Sequence, residues 1–387
     1  MNSSSPATAR RPGDKFFITV ILCGVVALIC IWVGERKMPA QTNRPADEKI
    51  EKQIATPNSV LVMTKTNLSG KTNVLVPQVQ TKGQATSAQN TFTNLVSAAQ
   101  FVPRPVQDIY EAQVALASRG ISSGSIDGLI GSQTRSALRA FQRGENLPLT
   151  GELDVATKTK LLLNAPPFTQ FIVTTNETAL LQPVAATWLE KSKQSRLDYE
   201  SILELVAEKF STHPTLLKQL NPSVNWTNVS PDIALRVPNV EKNKLKKNAA
   251  FIRIRLAEKN LEAFDENTNL LAHFPCSIAQ RIEKRPVGEL HVAKLAPNPD
   301  YTFDPENFPE SAEAQSIKTK LILPPGPNNP VGVVWIGLDK PGYGIHGTPK
   351  PEDVGRTESH GCFRLANGNA EYLLTLVTIG LPVWVEP

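Results

Sequence analysis

The chain has 387 residues, 41% of them apolar, and a formal charge of +5. That length points to two or three domains, and the apolar share is sufficient for packed cores. The positive excess is mild, and Lys and Arg are scattered rather than gathered into a stripe with interleaved aromatics. Nucleic acid is therefore excluded as a partner, and only a weak attraction to an anionic polymer is left. Of four cysteines, Cys23 and Cys30 fall in an apolar N-terminal run. The two that remain, Cys276 and Cys362, are too few for a disulfide framework. Cys276 is read as a core residue.

Residues 16–33 read FFITVILCGVVALICIWV and follow Arg10, Arg11 and Lys15. A helix of that length just spans a hydrocarbon core, and the leading positive charges favour a cytoplasmic N-terminus. A cleaved signal peptide competes, but its apolar region is shorter and ends in small residues. Here Gly34-Glu35-Arg36-Lys37 follows instead. Residues 1–15 are thus read as cytoplasmic and 16–34 as an uncleaved anchor, with the remainder on the outer side. From 35 to 104 the chain is rich in Thr, Asn, Gln, Ser and Lys and has no sustained apolar period. It buries too little to offset its entropy and is expected to be a disordered linker.

Between 105 and 165 the apolar spacing becomes helical. Ile109, Ala112, Gln113 and Leu116 share one face, and Thr134, Ala137, Leu138 and Phe141 share another after the turn at 126–131. Asp154 is placed to cap a third helix running through Leu163. Asp127, Gly128, Gly131, Thr134, Ala137, Leu138, Phe141, Gln142, Gly151 and Thr157 follow the pattern of the small three-helix peptidoglycan-binding module, which this segment resembles. The resemblance implies peptidoglycan glycan as a partner. Most of these positions serve turns and packing, which any compact three-helix unit wants.

Residues 168–240 place Ile202, Leu205 and Val206 on one helix face. His213-Pro214 opens a second short helix, and 233–237 alternates like a strand. With Asn221-Pro222 and Val237-Pro238, the segment resembles a LysM glycan-binding module, although Asp198-Tyr199-Glu200 stands where Gly-Asp is usual. His213 is read as a helix-start residue, not a ligand. Lys242 to Lys247 is a solvated basic linker.

From 249 to 387 strands are expected at 251–256, at 331–338 and at 381–385, with a helix at 369–378. The Pro-rich stretch between the first two strands is read as a loop-rich insertion forming a substrate-side cap. His291, near its start, is read as an ordinary polar residue. Near the C-terminus stand Ile345-His346-Gly347-Thr348 and then Ser359-His360-Gly361-Cys362-Phe363-Arg364. A thiol becomes a good nucleophile as the thiolate, and a neighbouring imidazole can take its proton and hold the ion pair. Gly347 and Gly361 leave room for backbone to approach a substrate, and amides near Cys362 suit a developing oxyanion. Zinc bound by His346, His360 and Cys362 is the alternative, but the paired spacings of structural zinc sites are missing. A papain-type order would put Cys well before His.

These residues match the signature of the L,D-transpeptidases of the YkuD type, a His, a gap, then Ser-His-Gly-Cys with Arg two positions later, and the chain resembles that family here. Arg285-Pro286-Val287-Gly288 looks like its Thr-Pro-x-Gly segment with Arg for Thr. The resemblance implies Cys362 as acyl-accepting nucleophile and His346 as general base. Gly347, Ser359, His360 and Gly361 would shape the loop or the oxyanion site, and Arg364 would hold the loop or a substrate carboxylate. It calls for no metal and no cofactor. The implied reaction moves the acyl group of a peptidoglycan tetrapeptide stem to an amine, in the cell envelope. Trimming of stems by water, a non-catalytic wall anchor and a protein-directed thiol protease are the alternatives. The expected fold class is multi-domain: a β-rich catalytic domain of mixed sheets with a short helix, preceded by a three-helix peptidoglycan-binding domain and a small α+β LysM-like domain, with an N-terminal transmembrane helix.

Overall fold

The computed structural model describes residues 101–240, 248–308, 311–357 and 361–387. The anchor expected at 16–34, nearly all of the linker at 35–104 and the basic stretch at 242–247 lie outside the described residues. Among the described residues no helix is long and apolar enough to cross a membrane.

The first segment contains β1 (Arg104–Pro105), α1 (Ile109–Ser118), α2 (Ser132–Gly144), α3 (Val155–Lys160) and β2 (Leu162–Leu163). Asp108 and Asp154 cap α1 and α3 by accepting from the Glu111 and Thr157 amides. The third helix stops at Lys160, short of Leu163, because Leu162 and Leu163 pair antiparallel with Pro105 and Arg104. Arg104, read as the end of the linker, belongs to this segment and donates to both carboxylate oxygens of Glu111 at 2.6 and 2.8 Å. The motif residues gather around two buried glutamines. Gln113 donates to the Asp127 carboxylate (2.8 Å) and Thr134 hydroxyl (3.2 Å) and accepts from the Asp127 and Gly128 amides. Gln142 similarly donates to the Thr150 and Thr157 hydroxyls and accepts from the Gly151 amide.

The middle segment holds β3 (Phe168–Ile172), α4 (Thr175–Ala179), α5 (Trp188–Lys191), α6 (Ile202–Lys209), α7 (Pro214–Leu220) and β4 (Ala234–Pro238). β4 lies one residue beyond the expected strand and pairs antiparallel with β3, from Phe168↔Pro238 to Ile172↔Ala234. Helices α6 and α7 bury Ile202, Leu205, Val206 and Leu217 against Val173, Leu235 and Val237. His213 caps α7 by accepting from the Thr215 amide at 3.2 Å.

The last segment runs β5 (Phe251–Arg255), β6 (Asn260–Phe264), β7 (Leu270–Pro275), β8 (Gly288–Pro297), β9 (Tyr301–Phe303), α8 (Ala312–Ser316), β10 (Leu321–Leu323), β11 (Val334–Leu338), β12 (Gly344–His346), β13 (Phe363–Arg364), α9 (Asn367–Leu374) and β14 (Pro382–Glu386). Eight strands form one sheet in the order β13-β12-β11-β8-β14-β5-β6-β7, with β12/β13 and β14/β5 parallel. Alternation sends Ile252, Ile254, Val383 and Val385 into one core with Ile336, Ile345, Phe363 and Leu373. The Pro-rich insertion stands outside this sheet from Asn298 to Val333, carrying the small pair β9/β10, while β6, β7 and β8 before it, not expected as strands, complete the sheet. The strand expected at 331–338 begins at Val334, after Gly332 has turned the chain at φ +61. Helix α9 begins two residues before the expected 369 and ends four before 378.

Hydrogen bonds tie the three segments together. The Ser122 amide donates to the His273 carbonyl (2.8 Å) and the His273 amide to the Gly120 carbonyl (3.0 Å), which covers the β7 edge of the sheet. Ile126 exchanges similar bonds with Ser211 and His213. The insertion packs Phe303, Ala314 and Leu323 on Leu197 of the middle segment, with Trp188 stacked on Phe303 at 4.6 Å.

At the seam between α2 and the sheet, Glu262 is 1% exposed and is bonded to His273 Nδ1 (3.0 Å), Arg255 (2.7 Å) and Arg143. Ser136 stands 3.4 Å from His273 Nε2, giving the order of a hydrolytic triad. Ser136 lies inside α2, however, where amides are consumed by the helix, and two guanidiniums share Glu262. The cluster therefore docks α2 and has no oxyanion donors. Burial raises the Glu262 carboxyl, but the His273 hydrogen bond and charge and the Arg143 and Arg255 charges outweigh it and hold it at about 2. A carboxyl held below its ordinary value of 4.5 stabilises the fold above that pH, and the contribution disappears as pH falls through 2. Glu262→Gln is expected to cost about 3 kcal/mol at pH 7 in urea unfolding, with the gap to the parent closing between pH 4.5 and 2. Equal midpoints at pH 7 would show that the cluster does not hold the seam.

Candidate active site

The parallel pairing of β12 with β13 sets His346 and the residue just before β13, Cys362, on neighbouring strands. The register matches Ile345 to Phe363 and His346 to Arg364. Because side chains alternate, Ile345 and Phe363 enter the core, at 0% and 1% exposure, while His346, Arg364 and Cys362 fall on the opposite face. Cys362 is two positions before Arg364, level with Gly344.

The imidazole of His346 is buried and fixed on both sides. Its ring stacks on Trp335 with centroids 5.6 Å apart and planes at 21°. Its Nδ1 lies 2.6 Å from the Gly347 carbonyl oxygen. A carbonyl only accepts, so Nδ1 carries the hydrogen and Nε2 presents the lone pair, the tautomer a general base requires. Burial pushes the imidazole down to about 4, with the Arg364 charge acting the same way against the Gly347 bond. Burial likewise pushes the Cys362 thiol up, opposed by a Gly344 backbone hydrogen bond and the Arg364 charge. Cys362 Sγ also lies 3.5 Å from the Gly342 carbonyl. At neutral pH the resting pair is thus thiol and neutral imidazole. The ion pair expected from the sequence is disfavoured because both groups are desolvated.

The remaining motif residues divide. Among the described residues nothing lies within 4 Å of a Cβ added at Gly361. Gly347 does not: an added Cβ would run into the Asn367 side chain, so its smallness serves packing rather than an approaching substrate. Arg364 is half-buried, and its backbone exchanges 3.0 Å hydrogen bonds with Ser277. A cavity of about 210 Å³ lies beside it, walled by Trp188, Lys191, Thr348, Lys350 and Asp353. Ser359 and His360 lie outside the described residues. Arg285 donates to the Ala279 carbonyl at 2.7 Å and so holds its own loop. His291 is half-buried, with Nδ1 3.0 Å from the Asp339 carboxylate. Cys276 is buried, its thiol pushed up by burial alone, and it is not bridged to Cys362.

Sequence reading overlooked three neighbours. Trp335 was seen only as a strand residue. Tyr301, from the insertion, stands close enough to Cys362 and Arg364 to feel their charges. Asn367 is 1% exposed, and its Oδ1 accepts from the Thr348 amide (3.0 Å) and the Val333 amide (3.3 Å). The signal for Asn367 was present, a polar residue at a helix start just past the motif; Tyr301 left none.

A thiol and a base of fixed tautomer on one face of neighbouring strands are equipment for acyl transfer through a covalent intermediate. Residues 249–385 match the YkuD family, described as the L,D-transpeptidase catalytic domain, and residues 105–161 match a putative peptidoglycan binding domain. The putative L,D-transpeptidase YkuD of Bacillus licheniformis is 26% identical over 189 residues, covering 48% of this chain and 93% of that protein. The putative L,D-transpeptidase YqjB of Bacillus subtilis is 34% identical over 105 residues, 26% of this chain and 51% of that protein. An L,D-transpeptidase structure from Xylanimonas cellulosilytica overlays 74% of this chain and 98% of its own at 13% identity, with a TM-score of 0.31. The β-rich domain described above is an L,D-transpeptidase catalytic domain, preceded by a helical peptidoglycan-binding region.

The pH dependence of thiol reactivity follows from the neutral resting pair. Alkylation of Cys362 by iodoacetamide should climb through the alkaline range without a plateau between pH 6 and 8, with buried Cys276 unmodified. A plateau at neutral pH would instead show a preformed thiolate.

Proposed function

We propose that the chain is a peptidoglycan L,D-transpeptidase in which Cys362 is the nucleophile and His346 the general base. The observation that carries this is the His346 Nδ1–Gly347 contact at 2.6 Å, which leaves Nε2 unprotonated on the face that also bears Cys362. As sulfur attacks the carbonyl between an L-centre and a terminal D-residue of a tetrapeptide stem, its proton passes to Nε2. Backbone amides beside Cys362 receive the oxyanion. The tetrahedral adduct collapses as Nε2–H protonates the departing amine, leaving a thioester. An amine of a second stem then attacks, giving its proton to Nε2 and releasing the thiol with a new amide bond. Water in place of that amine gives trimming.

Arg364, half-buried beside the cavity with Tyr301, is assigned to the substrate carboxylate, and Gly347 to loop shape. Ser359 and His360 keep the loop-shaping role that the family resemblance gives them. The middle segment is assigned to glycan as a LysM-like module, supported by its strand-helix-helix-strand frame, β3-α6-α7-β4. Residues 16–34 are assigned as the membrane anchor on their apolar length and the preceding Arg10, Arg11 and Lys15. Enzyme and wall modules then work in the extracytoplasmic envelope.

Purified chain incubated with tetrapeptide muropeptides should release terminal D-alanine and form cross-links. Cys362→Ala should abolish turnover, and His346→Gln should lower it by about 10²- to 10⁴-fold. D-alanine release that survives Cys362→Ala would refute the nucleophile. No turnover by the parent chain would leave the wall-binding modules as the function.

A further inference from the structure

Behind His346 the hydrogen bonds do not end at Gly347. The Gly347 carbonyl and the Thr348 amide belong to one peptide group. Its oxygen receives His346 Nδ1–H at 2.6 Å, and its N–H donates to Asn367 Oδ1 at 3.0 Å. The other end of the Asn367 side chain, Nδ2, donates to the two carboxylate oxygens of Glu208 at 3.1 and 3.0 Å. Glu208 lies on α6, in the middle segment, 159 positions away in sequence.

We propose that Glu208 is the positioning carboxylate of the transpeptidase site, acting on His346 through Asn367 and the Gly347–Thr348 peptide, so that the middle segment supplies part of the catalytic apparatus. This rests on the assignment of His346 as base.

Four features carry the relay. Asn367 is buried and committed at both ends, since Oδ1 also accepts from the Val333 amide and Nδ2 also reaches the Pro327 carbonyl at 3.2 Å. It has no spare valence with which to turn. The two amides it holds stand at the His346 ends of β11 and β12, where Trp335 faces His346 in register. Glycines at 332 and 347 leave the side chain its space, because a Cβ at either would strike Asn367 Oδ1. Lastly, both partners of Glu208 donate: Tyr199 gives its hydroxyl to Oε1 at 2.8 Å, as Asn367 gives its amide. Those donors favour the carboxylate. Burial and the like charges of Glu204 and Glu371 push Glu208 the other way, up to about 7.

A carboxylate at the end of two polarisable amides draws their dipoles into line, making the Gly347 oxygen a stronger acceptor. The Nδ1–H tautomer is favoured, and the imidazolium formed when Nε2 takes the thiol proton is stabilised. A serine or cysteine triad gives this work to a third side chain in direct contact with the imidazole. Here the contact is made by a peptide group, and the charge arrives from another segment.

The test uses the full chain and two readouts. In ¹H–¹⁵N spectra with labelled histidine, the parent should show a downfield His346 Nδ1–H proton, and Glu208→Ala should move it upfield or lose it. Glu208→Gln, which keeps the shape and one acceptor for Asn367, should retain the signal. In muropeptide turnover, Glu208→Ala should lower kcat by about tenfold with KM changed less than about threefold, and Glu208→Gln should recover part of the loss. The Glu208→Ala/Asn367→Ala pair should be no worse than Asn367→Ala alone. An unmoved Nδ1–H signal in Glu208→Ala overturns the relay, as do additive losses, a loss confined to KM, or a parent kcat. If the signal responds but the parent turns over no muropeptide, the relay stands and the enzymatic assignment falls.

Discussion

The site depends on one peptide group, the Gly347–Thr348 amide, being held from both sides. On one side it receives His346 Nδ1–H; on the other it donates to Asn367. An imidazole with a free Nδ1 is divided between two tautomers and turns about its own axis, and only one of those states puts a lone pair on the side of the thiol. Trp335 fixes the plane of the ring by stacking, and the carbonyl fixes which nitrogen bears hydrogen. The residues that shape the loop around this peptide have their sizes set by it. Gly347 and Gly332 are small because Asn367 occupies the space where their side chains would stand.

Desolvation sets the chemistry. Burial makes both the thiolate and the imidazolium costly, and the same burial strengthens each hydrogen bond that orients them. Arg364 acts unequally on the pair, since its charge favours a thiolate at Cys362 and opposes an imidazolium at His346. A site of this kind stays protected at rest and moves its proton only as the sulfur begins to bond to a substrate carbonyl. The Pro-rich stretch reaches this site: Tyr301 feels the charges of Cys362 and Arg364, and Phe303 stacks on Trp188, which lines the cavity beside Arg364.

How far the sequence revealed this depended on distance along the chain. Local patterns were legible. The helices of the first segment, the Asp154 cap, the His213 helix start and the alternation of β5 all follow from spacing within a few residues. The pairing of β12 with β13 brings together residues the motif already placed side by side. What failed was the sheet interior. β6 and β7 are nearly continuous buried runs, Asn-Leu-Glu-Ala-Phe and Leu-Leu-Ala-His-Phe-Pro, without the two-residue period that announces a half-exposed strand. Glu262 and His273 among them are consumed at a seam with α2 that no local window can contain. β8 was not announced either, since Pro297 ends it and a long Pro-rich stretch follows. Glu208 was beyond reach: on α6 it reads as one more charge on a solvated helix face.

That seam and the relay carry the same physical lesson about how the segments are joined. Glu262, from the catalytic sheet, is bonded by Arg143 of the first segment as well as by His273 and Arg255, while Asn367, at the start of α9, donates to Glu208 of the middle one. In each case a buried polar group of the catalytic domain has a partner that its own sequence does not supply. A buried polar group that loses a partner costs more than the bond itself contributes, so removing either neighbour leaves a group that His273 and Arg255, or the Pro327 carbonyl, satisfy only in part. Modules tethered merely to raise the local concentration of wall polymer would meet the enzyme across water-filled, interchangeable surfaces. The contacts here are specific and charged, and the one made by Glu208 lies three hydrogen bonds from the His346 imidazole. The segments that precede the catalytic domain therefore form part of its interior order, and the geometry of His346 is a property of the assembled chain.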